Sequence, residues 1–346
     1  MLKYHHRHLI VFITILCFYC NIVFAQIANE QNGGMPVNSS SVRRIVVLFP
    51  LSFGIVYVLN LTNRLVAIPK QHIGIADGKL EKFYATVSPE INDSVNIGNP
   101  STPSLETILK VRPDLVLIAA DPMHDKTTQT IRENGISVIS LKAGFGNIEE
   151  WLAAVHTVAS ATGETERAQK YEAFFRQRLN LVKKRLADVP NEKRPKVALI
   201  NTTGTQMVIR GSRTSFGYSL IDLAGGRLME KGEDPADAAG CAEMMFVFDP
   251  DLIIDDSKTD IFYRASWWNE LRAVKERKVY KTPADDKQAW VTNWFLSTYS
   301  PVGILWLAKK IHPEKFSDID LQAEHKAFCQ MLYGRPLAHS GTGFTE

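Results

Sequence analysis

Two short segments carry arginine and tryptophan pairs, and these residue types suit the binding of an anionic or planar small molecule. Arg210 and Arg213 flank a Gly-Ser turn, and guanidinium forks fit carboxylates and oxyanions, including those of an anionic chelate. Trp290 and Trp294 are four residues apart, so on a helix they would share one face and could stack on a planar ligand. The alternatives are a solvated loop for the arginines and a core position for the tryptophans.

Loops that follow predicted strands supply further ligand-binding candidates, because such loops line the binding crevices of α/β proteins. His124 is one of them, and its imidazole could reach an incoming metal, although a lone His is more often structural. After residue 25 the sequence contains no HxxH, CxxC or HExxH pattern, so we expect a metal to arrive already chelated. The other candidates of this kind are Ser52, Phe53, Asn99, Ser101 and Trp267.

Two segments repeat one pattern, in which a Glu precedes a Pro-Asp pair by seven residues. Glu106 precedes Pro113 in the first segment, and Glu243 precedes Pro250 in the second. In both, apolar residues follow the Glu and branched apolar residues follow the Asp. This predicts a short helix, ended by Pro, and then a buried strand. The repeat therefore predicts two similar lobes, each with a Glu at the start of such a helix.

The first 41 residues differ in composition from the rest of the chain. Residues 1–25 have a basic start, an apolar run and a Val-Phe-Ala end, which is typical of a cleaved secretory signal; the alternative is an uncleaved membrane anchor. Residues 26–41 are polar and predict a flexible lead.

The remaining chain lacks the Lys/Arg clusters of a nucleic-acid surface. Its two cysteines, Cys241 and Cys329, could pair in an oxidising compartment if they lie close enough.

The elements that position these residues alternate between strands and helices, which predicts parallel α/β structure. Residues 164–187 contain no Gly or Pro and predict one helix of about 36 Å, long enough to join two lobes. We therefore expect two Rossmann-like lobes joined by a single long helix, with a ligand cleft between them. The predicted N-terminal lobe is residues 42–162, the connecting helix is 163–190 and the C-terminal lobe is 191–346.

An export signal, two α/β lobes, a joining helix and paired Glu residues together resemble the solute-binding proteins of ABC importers, in the class that carries ferric siderophores, haem and cobalamin. The resemblance covers residues 43–316. Its most specific parts are segments 103–118 and 243–254, and segment 300–316, where an apolar helix is followed by His-Pro-Glu-Lys-Phe.

The resemblance implies a periplasmic, monomeric protein that binds a small ligand and holds no permanent cofactor. It implies that Glu106 and Glu243 dock onto Arg residues of a membrane permease, which works with an ATPase; the alternative is that each Glu only stabilises the N-terminus of its helix. The implied cargo is a metal complex, first a ferric siderophore-like chelate, with His124 as the candidate to contact Fe(III). Haem, cobalamin, another metal chelate or a molybdate-like oxyanion are the alternatives.

A secreted α/β enzyme is the alternative from a different functional class. Gly144-Phe145-Gly146-Asn147 lacks the third Gly and the Gly-Lys-Ser/Thr ending of phosphate-binding loops, and no Gly-x-Ser-x-Gly nucleophile motif is present. These motifs would have indicated nucleotide chemistry or an α/β hydrolase. We therefore expect binding and not catalysis.

Overall fold

The computed structural model describes most of the chain after residue 41. It describes residues 42–73, 75, 82–142, 146–203, 206–209, 216–229, 238–257, 263, 266–286, 289–295 and 298–337. The predicted signal and lead, as well as Arg210 and Arg213, lie outside the described residues. Within these ranges, no helix combines the length and the apolar character needed to cross a bilayer.

Two compact units divide the chain. Unit 1 takes in the described residues of Met1–Lys79, Ser88–Ala143 and Leu152–Gln169. Unit 2 takes in those of Leu80–Val87, Gly144–Trp151 and Lys170–Glu346.

The regular elements of the described residues alternate as the sequence predicts. The strands are β1 (Ile45–Val47), β2 (Leu65–Ile68), β3 (Val95–Asn96), β4 (Leu115–Ala120), β5 (Ser137–Lys142), β6 (Lys196–Thr203), β7 (Gln206–Ile209), β8 (Arg227–Leu228), β9 (Leu252–Asp255) and β10 (Val279–Lys281). The helices are α1 (Pro50–Val58), α2 (Lys82–Val87), α3 (Leu105–Lys110), α4 (Asp125–Glu133), α5 (Ile148–Thr162), α6 (Thr165–Arg185), α7 (Phe216–Leu223), α8 (Ala238–Phe248), α9 (Arg272–Lys275), α10 (Ser300–Ile311) and α11 (Leu321–Tyr333).

The long helix predicted at 164–187 is α6. It begins in unit 1 and continues into unit 2, since the division falls between Gln169 and Lys170. Its last turn carries Lys183, Lys184 and Arg185, whose positive charges favour the C-terminal end of a helix.

Unit 1 is built on a five-stranded parallel sheet in the order β3-β2-β1-β4-β5. Strands β1 and β4 pair in register, with Ile45 opposite Leu115 and Val47 opposite Leu117. All four of these side chains are buried. Such uninterrupted apolar strands belong to a sheet that is covered on both faces.

Unit 2 has a mixed sheet in the order β10-β9-β6-β7. Strands β9 and β10 run parallel to β6, as does β8, which pairs with the first residues of β6. Strand β7 is antiparallel and pairs with the last residues of β6. The α/β class predicted from the sequence is confirmed, and β7 is a departure from an all-parallel sheet.

The two repeated segments share one backbone course. Helices α3 and α8 are each followed by a residue in the left-handed region directly before the Pro, namely Arg112 with φ 45° and Asp249 with φ 46°. The predicted order of helix, Pro-Asp and strand is confirmed in both units. One expectation is wrong: Glu106 is the second residue of α3, but Glu243 is the sixth of α8 and is not at its start.

The Asp of each Pro-Asp pair fixes the first strand of its sheet. Asp114 Oδ2 accepts hydrogen bonds from the backbone N–H groups of Arg43 and Arg44, both at 2.8 Å. Asp251 Oδ2 accepts one from the N–H of Lys196 at 2.7 Å. These N–H groups stand at the beginnings of β1 and β6, so each carboxylate sets the position of a strand that pairs with its own.

Replacing Asp251 with Ala is expected to lower the free energy of unfolding by about 1–2 kcal/mol at pH 7, because a charge-assisted bond to the backbone is lost. Burial opposes ionisation of Asp251, but the N–H of Lys196 and the guanidinium of Arg272 outweigh it and lower its pKa. A lowered pKa means that this stabilisation is present above the pKa of the unfolded chain and is lost as pH falls through the folded value.

The test is urea unfolding of wild type and Asp251→Ala at several pH values. The difference in the free energy of unfolding between the two proteins should become smaller as the pH falls into the acid range. Asp188→Ala is the control, because Asp188 pairs with Lys315 at the surface and such pairs contribute little. Equal stability of wild type and Asp251→Ala at pH 7 would contradict the strand-fixing role.

Candidate functional site

The strand order of each unit changes direction at its first strand. In unit 1 the order reverses at β1, which lies between β2 and β4; in unit 2 it reverses at β6, which lies between β8 and β9. In open α/β sheets, ligands bind at the carboxyl ends of the strands beside such a switch point. The loops after β1 and β4 in unit 1, and those after β6 and β9 in unit 2, are therefore the candidate ligand-binding positions.

In unit 1, His124 lies directly after β4, in a short 3-10 turn, and its side chain is 8% exposed. Its Nε2 is 3.1 Å from the carbonyl oxygen of Pro100 in the loop after β3. A carbonyl only accepts, so Nε2 is the donor in this contact. Nδ1 is buried and has no hydrogen-bond partner among the described residues. The imidazole therefore joins two loops, and its second ring nitrogen has no partner among the described residues.

Two other unit 1 candidates belong to helix α1 and not to a loop. Phe53 is fully buried and packs edge-on against Tyr57, with ring centroids 5.3 Å apart. The ring is part of the core, and its contact with a ligand stays a prediction. Ser52 is also fully buried, and its hydroxyl has no partner among the described residues. It remains a candidate at the N-terminal end of α1.

Asn99 and Ser101 form an exposed turn after β3. Asn99 Oδ1 accepts the backbone N–H of Ser101 at 2.9 Å, so its side chain holds the turn as an Asx motif. Gly98, with φ 77°, precedes it and allows the left-handed bend. The Ser101 side chain is exposed and stays a candidate.

In unit 2, the end of β9 carries a polar cluster around Asp255, which is fully buried. One carboxylate oxygen accepts from the Ser257 N–H at 2.9 Å and from the Ser257 hydroxyl. The other accepts from the Tyr263 hydroxyl and lies 3.2 Å from Lys281 Nζ. A buried carboxylate is stable in the charged form only with such partners.

The neighbouring Asp256 joins β6 to two segments that follow β10. It accepts from Asn201 Nδ2 at 3.4 Å, from the Thr282 hydroxyl at 2.7 Å and from Asn293 Nδ2 at 2.7 Å. We did not predict this cluster from the sequence. The sequence feature that could have revealed it is the acidic pair 255–256 at the end of an apolar stretch. Two carboxylates at such a place need hydrogen-bond partners from adjacent loops.

The tryptophan candidates lie in different environments. Trp267 is half-buried and meets Trp268 and Phe246 edge-on, with centroids 5.9 and 6.4 Å away. Trp294 is fully buried, so its predicted role as a binding wall is wrong. The predicted shared helix face is also wrong, because the 3-10 turn Trp290–Thr292 ends before Trp294. The Trp290 side chain lies outside the described residues.

Glu106 and Glu243 are both exposed. Glu106 follows the N-cap Ser104, whose hydroxyl accepts the Thr107 N–H at 3.2 Å, so a helix-stabilising role is available to it. Glu243 is in the middle of α8 and has no such role. Phe246 and Val247, on the same helix, are 45% and 80% exposed.

The chain is similar to several known binding proteins. Molybdate-binding protein MolA of Haemophilus influenzae is 22% identical over 93% of this chain and 95% of its own length. The Fe(3+)-citrate-binding protein YfmC of Bacillus subtilis is 22% identical over 84% of this chain and 93% of its own. The iron-uptake system-binding protein of Bacillus subtilis is 26% identical over 63% of this chain and 69% of its own length.

Solved structures show the same fold. A periplasmic solute-binding protein from Veillonella parvula superposes with a TM-score of 0.71 at 21% identity, covering 87% of this chain and 90% of that one. Helicobacter pylori CeuE with Ni(II) bound superposes with a TM-score of 0.67 at 20% identity, covering 88% of this chain and 95% of that one. The family model described as "Periplasmic binding protein" matches residues 45–285, so this chain belongs to the periplasmic binding protein family.

Proposed function

We propose that this protein is the substrate-binding component of an ABC importer and that it captures a ferric chelate of the siderophore or citrate type. The family match over residues 45–285 carries the role of the protein. Relatives that align along nearly the whole chain are named for ferric citrate and for molybdate, which supports a metal-related cargo. Binding and release, without a chemical step, is the proposed activity.

The unit 1 site favours a ligand that accepts a nitrogen donor. Nδ1 of His124 is buried and has no hydrogen-bond partner among the described residues, and a buried polar atom without a partner costs free energy until a ligand satisfies it. Imidazole is a common iron ligand. Ser52, Ser101 and Trp267 are the further cargo contacts that we propose from the described residues. Arg210, Arg213 and Trp290, outside them, stay proposed contacts on sequence grounds.

The remaining parts of the proposal concern location and partners. We propose that residues 1–25 direct export and are removed, and that the protein works as a periplasmic monomer. Glu106 and Glu243 are proposed to contact a permease, which an ATPase drives. The central position of Glu243 in α8 supports a role beyond helix stabilisation.

Tryptophan fluorescence tests the cargo, because the chain contains six Trp residues. The purified protein is titrated with ferric citrate, a ferric siderophore, haem, cobalamin and molybdate. A ferric chelate should bind at least about tenfold more tightly than the others. In His124→Gln, loss of the nitrogen donor should weaken that binding about tenfold, equivalent to about 1.4 kcal/mol.

Gln129→Ala is the matched control for His124→Gln, because Gln129 is exposed on the adjacent helix α4. It should bind the chelate like wild type. Preference for molybdate, abolished by Arg213→Ala, would instead support the oxyanion alternative. Unchanged affinity in His124→Gln would remove His124 from the site.

A further inference from the structure

Unit 2 contains a buried group of three potential metal ligands that is separate from the cargo candidates. Asp285, His325 and Cys329 converge so that one ligand atom of each lies within 4.8 Å of the others. His325 Nε2 is 2.8 Å from Asp285 Oδ2 and 3.4 Å from Cys329 Sγ. The three residues are 3%, 4% and 0% exposed, in the order His325, Asp285 and Cys329. Among the residues that the structure describes, no other group of three meets these distances.

The backbone and the neighbouring rings hold this group in place. His325 and Cys329 are four residues apart on α11, so both project from one face of the helix. Asp285 comes from the segment after β10. The His325 ring stacks with Trp294 and with Tyr299, whose ring centroids are 5.5 and 5.9 Å away at interplanar angles of 16° and 30°. The imidazole is therefore fixed in orientation before any ligand arrives.

Cys329 is a free thiol. The disulfide with Cys241 that the sequence allowed is therefore not formed by this residue. A nucleophilic Cys-His-Asp triad is excluded by the geometry. In such a triad the carboxylate and the nucleophile contact different imidazole nitrogens, whereas here both contact Nε2.

We propose that Asp285, His325 and Cys329 form a binding site for a divalent ion of the zinc class. Oxygen, nitrogen and sulfur ligands together are typical of Zn²⁺. Ligand atoms at zinc-bonding distances and tetrahedral angles stand about 3.3–3.7 Å apart, so the Cys329 contact already fits and the Asp285 contact must open by at least about half an ångström. The ion replaces the thiol proton, which leaves to solvent.

Cobalt(II) is the probe, because a thiolate bound to Co²⁺ gives a near-ultraviolet charge-transfer band that oxygen and nitrogen ligands do not give. The wild-type protein is stripped with a chelator and then given Co²⁺, both in the native state and during refolding, since a buried site loads slowly. We expect one equivalent of Co²⁺ with the thiolate band, and displacement of Co²⁺ by Zn²⁺.

Three variants assign the band to this group. Cys329→Ser should abolish it, and His325→Ala and Asp285→Asn should weaken Co²⁺ binding by at least about 10–100-fold, as loss of a supporting residue alone does at metal sites. Cys241→Ser is the matched control, because Cys241 is the other cysteine after residue 25; it should leave the band unchanged.

The outcome does not depend on the identity of the cargo. A metal ion bound in a cargo site would give binding without the thiolate band. If wild-type protein takes up no Co²⁺ with that band, even after refolding, the group is only a hydrogen-bonded cluster and the proposal is wrong. The wild-type measurement decides this even if a variant fails to fold.

Discussion

Replacing Glu106 and Glu243 together by Ala is expected to reduce uptake about 100-fold or more while leaving cargo affinity nearly unchanged. Each unit carries one of these exposed carboxylates. An exposed ion pair contributes little by itself, but charge pairs that become desolvated at an interface couple by about 1.5 kcal/mol or more. Two such contacts correspond to about a hundredfold in an equilibrium constant.

The measurement is uptake of labelled cargo into vesicles that contain the cognate permease and ATPase, with fluorescence titration of the same samples. The control pair is Glu133→Ala with Glu270→Ala. These are also exposed acids, one in each unit, so the net charge changes equally. The control should transport like wild type. Wild-type uptake by the Glu106/Glu243 variant would eliminate the docking role.

Replacing Gly303 by Ala is expected to cost about 3 kcal/mol or more of folding stability. Gly303 lies in α10, where helix propensity alone would favour Ala by about 1 kcal/mol. A Cβ at this position would stand 1.8 Å from the carbonyl oxygen of Trp294 and 2.7 Å from its carbonyl carbon. These are backbone atoms, which cannot rotate away as a flexible side chain would. Close packing therefore overrides propensity and reverses the sign of the effect.

Thermal unfolding of the purified variants measures this effect. Gly135→Ala is the control, because it forces Ala into φ 77° but meets no atom within 4 Å, and should cost only about 1–2 kcal/mol. Gly303→Ala should unfold at a clearly lower temperature than the control or give no soluble protein. A melting temperature at or above that of wild type would show that α10 and the Trp294 segment are not in contact.

The sequence predicted those features that depend on short local patterns. The Glu-to-Pro-Asp repeat was visible because Pro and Asp act on their immediate neighbours, and the structure adds the left-handed residue before each Pro. The long helix was visible because residues 164–187 contain no breaker. In contrast, Glu243 was placed at the start of a helix because nothing in the preceding residues fixes where α8 begins.

Features that depend on distant parts of the chain were not visible. Trp294 has polar neighbours in the sequence, yet it is buried beside His325, 31 positions later. Asp285 meets His325 only because the segment after β10 lies against α11, although the four-residue spacing of His325 and Cys329 was present in the sequence. Tertiary contacts, and not local propensity, decide these positions.

Native mass spectrometry of the protein, purified from the cells that export it, tests the proposed carrier role most directly. We expect a chain that begins at Gln26 and carries one small metal complex, which dissociates from the protein on collisional activation. A zinc ion at the buried site would add only the mass of a bare ion and is distinguishable from an organic chelate. A bare chain that also binds none of the ferric chelates, haem, cobalamin or molybdate added to it would contradict the carrier role.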